Sequence, residues 1–375
     1  MKIAIIRQRY TAFGGAERFT DRAMQALVSK GASVSVIARD WKGEAQYPVE
    51  LCKPFYLGRT WRDAAFSRCA CQKISDQGYD LVQSHERIAC CDIYRAGDGV
   101  HAEWLLQRAR VLSPLQRFAT SVSCFHRQLL KAETALFSSP RLKAVICNSK
   151  LIQKEIMDRF GLPEEKLPVL YNGVDTQAFS PALREQHREK LRCELGVSDD
   201  VPVFLFVGSG YMRKGVAAAI AAINQLPEQA ELWVIGKDRQ QKKYIKQAEA
   251  GRQRVRFLGP QQDVKPFYGA ADGLLLPTLY DPFPNVVLEA MACGLPVISS
   301  TKCGAVDIIK DGRNGFICDA LDIPGLAQRM RQLLDSQAAA RVGMAGRATV
   351  ADWTLERVAE QTLGLYERLA NECLR

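Results

Sequence analysis

The chain has 375 residues, 47% of them hydrophobic and 25% charged, and a formal net charge of +10. That length exceeds what one hydrophobic core normally serves, so two domains are expected, and the composition excludes a fibrous or disordered chain. The charge is uneven: residues 1–150 hold 23 Lys/Arg against 13 Asp/Glu, while residues 151–375 hold 28 against 28. The whole excess lies in the first half and points to an anionic partner there, whether nucleic acid, anionic lipid or a phosphorylated acceptor.

The chain opens on KIAII (2–6), a first buried strand, and turns polar after six residues, too soon for a signal-peptide core. No apolar run reaches the roughly 18 residues of a membrane span, and a cytoplasmic address is expected. The twelve cysteines include no C-x-x-C pair and no accompanying histidine cluster, so they read as small buried hydrophobes, not as a metal site.

The first strand leads to Gly14-Gly15 just before a helix over 16–30. Small residues there let a ligand approach the backbone, and a helix N-terminus favours an anion; a tight turn is the plainer reading. Neither G-x-G-x-x-G nor the phosphate-loop pattern G-x-x-x-x-G-K-[ST] occurs. Further strands follow at 34–38, 79–83 and 143–148, with little alternation of apolar and polar residues, as strands buried on both faces require. His85 follows the third strand, and Asp98 stands between Gly97 and Gly99. Residues 104–137 mix Leu, Phe and Trp104 with Arg108, Arg110, Arg117, Arg127 and Lys131, and Glu133 is their sole acid. Such a stretch suits an interfacial region on an anionic membrane, or a packed helix pair with a solvated basic face.

The break falls between 168 and 200, with a turn signal at Asn172-Gly173 and a proline stop at Pro181 before a charged helix over 182–195. A second series of strands follows at 203–208, 231–236, 254–258, 273–277 and 295–299, with a helix over 215–226. The pattern is two doubly wound α/β domains with a cleft between them. Residues 1–170 form the first, 171–355 the second, and 356–375 a terminal helix that can cross back to the first. Arg213 and Lys214 arrive after the strand at 203–207, beside a glycine turn, where two cations suit a diphosphate. After the strand at 273–277 comes DPFPNVVLEAMACG, a turn and then a helix ended by Gly294. Asp281 stands at the helix mouth, where it can accept from sugar hydroxyls. Glu289 can take both oxygens of a ribose diol, and the helix N-terminus can receive a phosphate.

These residues resemble a family. The glycine turn, the Arg-Lys pair and DPFPNVVLEAMACGLPVI occur in the order and spacing of the family 4 retaining nucleotide-sugar glycosyltransferases, which have the two-domain GT-B fold. The family's hallmark is E-x7-E, and Asp281 stands where the first glutamate belongs, keeping the charge but losing a methylene of reach. Within the family, FGGAERF, CDIYRAGDGVHAEWL and VGSGYMRKGV resemble the lipopolysaccharide-core glucosyltransferases of Gram-negative bacteria.

The resemblance implies roles. Arg213 and Lys214 neutralise the donor diphosphate, Gly14 and Gly15 let it approach the first domain, and Asn285, Val286 and Val287 offer backbone N–H groups. Asp281 holds donor-sugar hydroxyls, Glu289 the ribose, and Asp98 faces the anomeric carbon, so Asp98 and Asp281 are the catalytic candidates. His85 matches a cleft histidine of wider family members. The implied reaction moves a hexose, glucose from UDP-glucose as first choice, onto an inner-core heptose with retention, without a cofactor or metal. It implies an enzyme peripheral to the inner face of the inner membrane, holding a lipid-linked acceptor. Other donors (UDP-galactose, a UDP-N-acetylhexosamine, GDP-mannose) and other surface-polysaccharide acceptors stay open. A nucleotide-sugar 2-epimerase or a nucleic-acid-binding protein are the rivals; no RNP-like or zinc-finger pattern supports the latter.

Overall fold

The computed structural model describes residues 1–11, 24–25, 28, 31–42, 47–227 and 229–373. The expected helix over 16–30, with Gly14 and Gly15, lies almost wholly outside the described residues.

Two parallel six-stranded sheets organise the chain. The first contains β1 (Lys2–Thr11), β2 (Ser33–Lys42), β3 (Val49–Leu51), β4 (Leu81–Ser84), β5 (Ile93–Arg95) and β6 (Ala144–Ile146), in the order β3-β2-β1-β4-β5-β6. The second contains β7 (Val203–Val207), β8 (Glu231–Ile235), β9 (Arg254–Gly259), β10 (Gly273–Leu275), β11 (Val297–Ser300) and β12 (Phe316–Cys318), ordered β12-β11-β10-β7-β8-β9. Numbered within each sheet, both are 3-2-1-4-5-6, the dinucleotide-binding order. In each sheet the order in which strands are added reverses at one switch point: β1 beside β4, and β7 beside β10.

The central strands are buried because their residues leave no polar face: every residue of β7 and of β8 is buried, Glu231 included, where Arg256 Nε donates to its carboxylate at 2.7 Å. Three strands escaped the sequence reading. β3, β5 and β12 are three residues long, and Glu50 and Arg95 interrupt the apolar stretch in the first two.

Helices connect the strands: α1 (Gly58–Gln77), α2 (His101–Ala109), α3 (Pro114–Ser121), α4 (Cys124–Phe137) and α5 (Lys150–Phe160), then α6 (Ala182–Leu195), α7 (Tyr211–Lys214), α8 (Val216–Ile223), α9 (Gln241–Glu249), α10 (Lys265–Ala270), α11 (Asn285–Ala292), α12 (Ile323–Gln332), α13 (Ser336–Val350) and α14 (Leu355–Cys373). The chain divides into a unit of Met1–Asn172 plus Leu355–Arg375 and a unit of Gly173–Thr354. In the first, Leu365, Tyr366 and Leu369 of α14 pack into the core made by Ile3, Ile5, Val34, Leu81 and Ile146. Tyr366 Oη donates to Gln83 Oε1 at 2.5 Å.

The cysteine expectation needs one correction. Cys71 of α1 and Cys90 after β4 form a disulfide, their Cα atoms 5.8 Å apart, because the helix and the strand end bring them side by side. Cys52, Cys91, Cys147, Cys293, Cys303 and Cys318 are buried thiols as expected, and burial pushes Cys147 up to about 12.

Candidate active site

In the second unit the site is built at the β7/β10 switch point. The chain leaves β7 through Gly208, makes one helical turn at Tyr211–Lys214, and is broken by Gly215. Arg213 and Lys214 therefore stand on a helical turn of their own, not in an open loop. Gly215 has φ +83°, and a Cβ on it would lie 1.8 Å from the Pro277 carbonyl oxygen, so no other residue fits between the turn and the chain leaving β10. That chain is fastened from the other side: Thr278 Oγ1 and the Leu279 N–H both donate to the Arg213 carbonyl at 2.8 Å.

Three residues that the sequence singled out come together here. Asp281 is 5% exposed, and its Oδ2 accepts from Lys214 Nζ at 2.5 Å and from Arg213 Nη1 at 3.0 Å. Burial raises the carboxyl pKa, but the Lys214 and Arg213 cations outweigh it and hold Asp281 below the usual aspartate range. The backbone is fixed as well, with the Asp281 N–H on the Lys302 carbonyl at 3.0 Å and the Gly304 N–H on the Asp281 carbonyl at 2.8 Å. Two cations meet one carboxylate, leaving net positive charge on the cluster for an anion.

Glu289 is held separately. It sits one turn into α11, half-buried, and Tyr268 Oη of α10 donates to its Oε2 at 2.8 Å. Burial, then the Glu289 charge, pushes the Tyr268 phenol well above its ordinary value, so it stays a donor. Pro284 caps α11, and the helix closes with Gly294 at φ +75°. At the helix mouth Asn285 and Val286 are half-buried. The Val287 N–H already donates to the Pro284 carbonyl at 3.1 Å, so its offer to a phosphate competes with its own turn.

In the first unit, Asp98 is an exposed aspartate on the turn between β5 and α2, where Gly99 has φ +67°. The turn is braced from below: Arg87 Nη2 donates to the Gly99 carbonyl at 2.8 Å and Arg87 Nε to Glu133 Oε1 at 3.1 Å. The same Glu133 oxygen accepts the His101 N–H at 2.8 Å, so the one acid of the basic stretch is turned inward to the start of α2. His85 is buried, its Nδ1 3.3 Å from Arg7 Nη1 and its Nε2 3.0 Å from Gln83 Nε2. Burial and the charges of Arg7 and Arg95 hold it well below its ordinary value, so it is neutral and engaged at both nitrogens.

Residues 104–137 form α2, α3 and α4. A Ser113/Gln116 capping box starts α3, yet that helix buries no residue: Leu115 is 76% and Phe118 66% exposed. Arg110, Arg117, Arg127 and Lys131 are exposed, and Arg108 and Trp104 are half-buried. Arg108 Nη1 lies 3.0 Å from His126 Nε2, while Arg117 and Arg127 reach back to the Leu112 and Val122 carbonyls. Among the described residues, no group of three or more His, Cys, Asp or Glu is placed to hold a metal ion, and no helix is long and apolar enough to cross a membrane.

Residues 13–178 match the Glycosyltransferase Family 4 model, and residues 201–336 match that of Glycosyl transferases group 1. The chain belongs to these glycosyltransferases. It is similar to the lipopolysaccharide glucosyltransferase WaaG of Escherichia coli K12, 26% identical over 84% of this chain and 85% of WaaG. A solved structure of WaaG, described as a glycosyltransferase involved in lipopolysaccharide biosynthesis, superposes with a TM-score of 0.81 at 23% identity, over 96% of this chain and 98% of that one. The core-biosynthesis glycosyltransferase LpsE of Rhizobium meliloti 1021 is 27% identical over 94% of this chain and 95% of its own. Anabaena HepE, solved in complex with UDP-glucose, matches with a TM-score of 0.73 at 22% identity, over 98% of this chain and all of that one. The fold of this glycosyltransferase is thus the GT-B fold, and it is related to the lipopolysaccharide-core glucosyltransferases.

Sequence reasoning missed the partner that orients Glu289. Tyr268 lies in KPFYGA, a short helix with no motif of its own, 21 residues before the glutamate it holds. It missed as well that Asp281 would be spent on Arg213 and Lys214, although the hallmark spacing put all three at neighbouring strand ends.

Proposed function

We propose that this glycosyltransferase moves a hexose from a nucleoside diphosphate sugar, UDP-glucose as first choice, to a heptose of the lipopolysaccharide inner core with retention at the anomeric carbon. The convergence of Arg213 and Lys214 on Asp281 beside the mouth of α11 carries the reading. A cation pair fixed at a switch point is preorganised for a diphosphate whose negative charge grows as the glycosidic bond breaks. Arg213 can bind two phosphate oxygens at once, and Lys214 acts as a point charge. Asp281, within reach of both, is placed to change partners when the phosphate arrives and to accept hydroxyl hydrogens of the transferred sugar. Glu289, held by Tyr268, would accept from the ribose diol, and Asn285 and Val286 would add backbone donors.

Asp98 is the group assigned to the reacting carbon from the acceptor-side unit. Charge stabilisation by these side chains needs no metal, and no cofactor is proposed. The exposed apolar and basic residues of α2 to α4 fit peripheral attachment to an anionic membrane face, where a lipid-linked acceptor resides. Support for donor and acceptor comes from HepE, solved with UDP-glucose, and from WaaG and LpsE, whose names place them in lipopolysaccharide synthesis. The test is a panel of nucleotide sugars with core-truncated lipopolysaccharide as acceptor. Transfer of glucose from UDP-glucose with an α-linked product is expected, and transfer from a different donor alone would replace glucose in the assignment.

A further inference from the structure

The second unit carries a hollow at the opposite end of its sheet from the donor site. It lies at the amino ends of β7, β10 and β11, beside Pro202, Asp272 and Pro296, whereas Arg213, Lys214 and Asp281 stand past carboxyl ends. The cavity measures about 450 Å³, a size that accommodates a small ligand. Its walls come from α6, α10, the ends of α11 and α12, and α13. Close backbone approach fixes them. A Cβ on Gly269 of α10 would lie 2.1 Å from the Leu183 carbonyl oxygen of α6, and one on Gly343 of α13 would lie 1.9 Å from that of Gly294. The hollow is therefore preformed, which lowers the cost of filling it.

The lining is largely aliphatic, with a charged cluster at α6. Leu183, Leu295 and Leu333 are buried in the wall, and Met344 is 58% exposed at the mouth. Arg184, Arg188 and Arg192, four residues apart, all reach Asp272, at 3.4, 2.9 and 2.5 Å. Asp199 takes Arg188 Nε at 2.7 Å as well. Arg188 and Arg192 are thus committed by short bonds. Arg184 is held loosely: its side chain is 50% exposed, and its bonds to Asp272 and the Ala271 carbonyl run from 3.3 to 3.5 Å. Such a guanidinium can turn two N–H groups to a carboxylate.

Two other wall residues touch Glu289, the residue assigned to the ribose. Tyr268, 1% exposed, donates its phenol to Glu289 Oε2 at 2.8 Å, and the Cys293 N–H donates to the Glu289 carbonyl at 3.1 Å. Burial and then the Glu289 charge push the Cys293 thiol up to about 12, so thiol and carboxylate are neighbours.

We propose that this cavity is a regulatory site for a small aliphatic carboxylate: Arg184 takes the carboxylate, the leucines and Met344 take the chain, and occupancy acts on the bound nucleotide through Tyr268 and Glu289. The inference rests on the assignment of Glu289 to the donor ribose. A single negative charge suits the site better than a phosphate, because Asp199 and Asp200 are also on the wall and repel a second one. A chain filling the hollow packs on the Tyr268 ring and on the turn that closes α11. Fixing that ring favours the arrangement in which Glu289 faces the diol, and by linkage a bound nucleotide tightens the carboxylate by the same factor.

The experiment titrates the full-length chain calorimetrically with decanoate, decanol and decyl phosphate, and with UDP in the absence and presence of saturating decanoate. Decanoate should bind wild type, and decanol and decyl phosphate should each bind more weakly. Arg184→Gln, which leaves Arg188 and Arg192 on Asp272, should weaken decanoate about ten-fold or more. Ala340→Trp, at an exposed position of α13 that lines the cavity, should abolish decanoate binding. Both variants should bind UDP alone as wild type does, which shows that the fold is intact. Saturating decanoate should tighten UDP about five-fold or more in wild type, and Tyr268→Phe should bind decanoate yet lose that effect. Failure of decanoate to bind wild type, or binding indifferent to Arg184→Gln or to Ala340→Trp, overturns the site. Decyl phosphate binding more tightly than decanoate overturns the choice of a monoanion, and an unchanged UDP affinity overturns the regulatory role. A wild type that takes up decanoate and no UDP overturns the donor reading, and the coupling with it.

Discussion

Lys214 Nζ lies 2.5 Å from Asp281 Oδ2, and Arg213 shares that oxygen at 3.0 Å. The aspartate that stands in a glutamate's place is thereby the counter-ion of the pair expected to bind the diphosphate. Its backbone is pinned between Lys302 and Gly304.

Lys214→Ala and Glu289→Ala are expected to lower kcat/KM by about 100-fold while the protein stays folded, the scale on which a preorganised charge contact acts. Lys214→Ala leaves Arg213 on Asp281, so the buried carboxylate keeps one partner. Steady-state assay with circular dichroism on the same samples checks this, and near-wild-type turnover in either variant removes its residue from the site.

Asp281 links the site to acid stability. Its folded pKa is held below the ordinary 3.8, so the ion cluster stabilises the fold above that value and loses its contribution as pH falls through the lower folded value. Asp281→Asn strands two cations and should destabilise the protein at pH 7 by about 3 kcal/mol. The gap between the two melting curves should narrow once pH drops below about 3.8, in the direction that linkage requires. A gap constant from pH 7 to pH 2.5 contradicts it. Asp281→Glu, which restores the family residue, should recover more turnover than Asp281→Asn.

Gly215→Ala places a methyl 1.8 Å from the Pro277 oxygen at φ +83°. Destabilisation of about 3 kcal/mol is expected, a fall in Tm of roughly 6–12 °C for a unit of this size. Turnover should fall as well, because Lys214 moves with its turn. Calorimetry reads the first effect and the donor KM the second.

Leu115→Glu with Phe118→Glu should abolish sedimentation with anionic vesicles while shifting Tm by less than about 1 °C, since both side chains are exposed and α3 buries nothing. Wild-type binding should weaken as salt rises and as anionic lipid is withdrawn. Indifference to both would return α2 to α4 to the packed, solvated reading.

The architecture was legible because parallel strands buried on both faces must be written as unbroken Val/Ile/Leu runs, and β1, β7 and β8 are. β3 and β5 were not, because Glu50 and Arg95 interrupt apolar stretches already only three residues long, and β12 is a three-residue strand at a sheet edge. The site was legible where chemistry fixes spacing: Arg213 and Lys214 lie on the turn that follows β7, Asp281 on the segment that follows β10, and Glu289 on α11. What stayed hidden depends on tertiary approach. Tyr268 reaches Glu289 from another helix, and Arg184, Arg188 and Arg192 of α6 meet Asp272 ahead of β10. The Cys71–Cys90 bond is of that kind too, joining residues 19 apart that no C-x-x-C spacing announces.

The return of α14 to the first sheet has a consequence for how the protein is made. Met1–Asn172 reaches its full core only with Leu365, Tyr366 and Leu369, the last of which leave the ribosome after all of Gly173–Thr354. The second unit can therefore finish folding during synthesis while the first waits, its sheet lacking one packing helix. A stop codon just after residue 354 would damage the amino-terminal unit, whose last helix it removes, and spare the unit it follows.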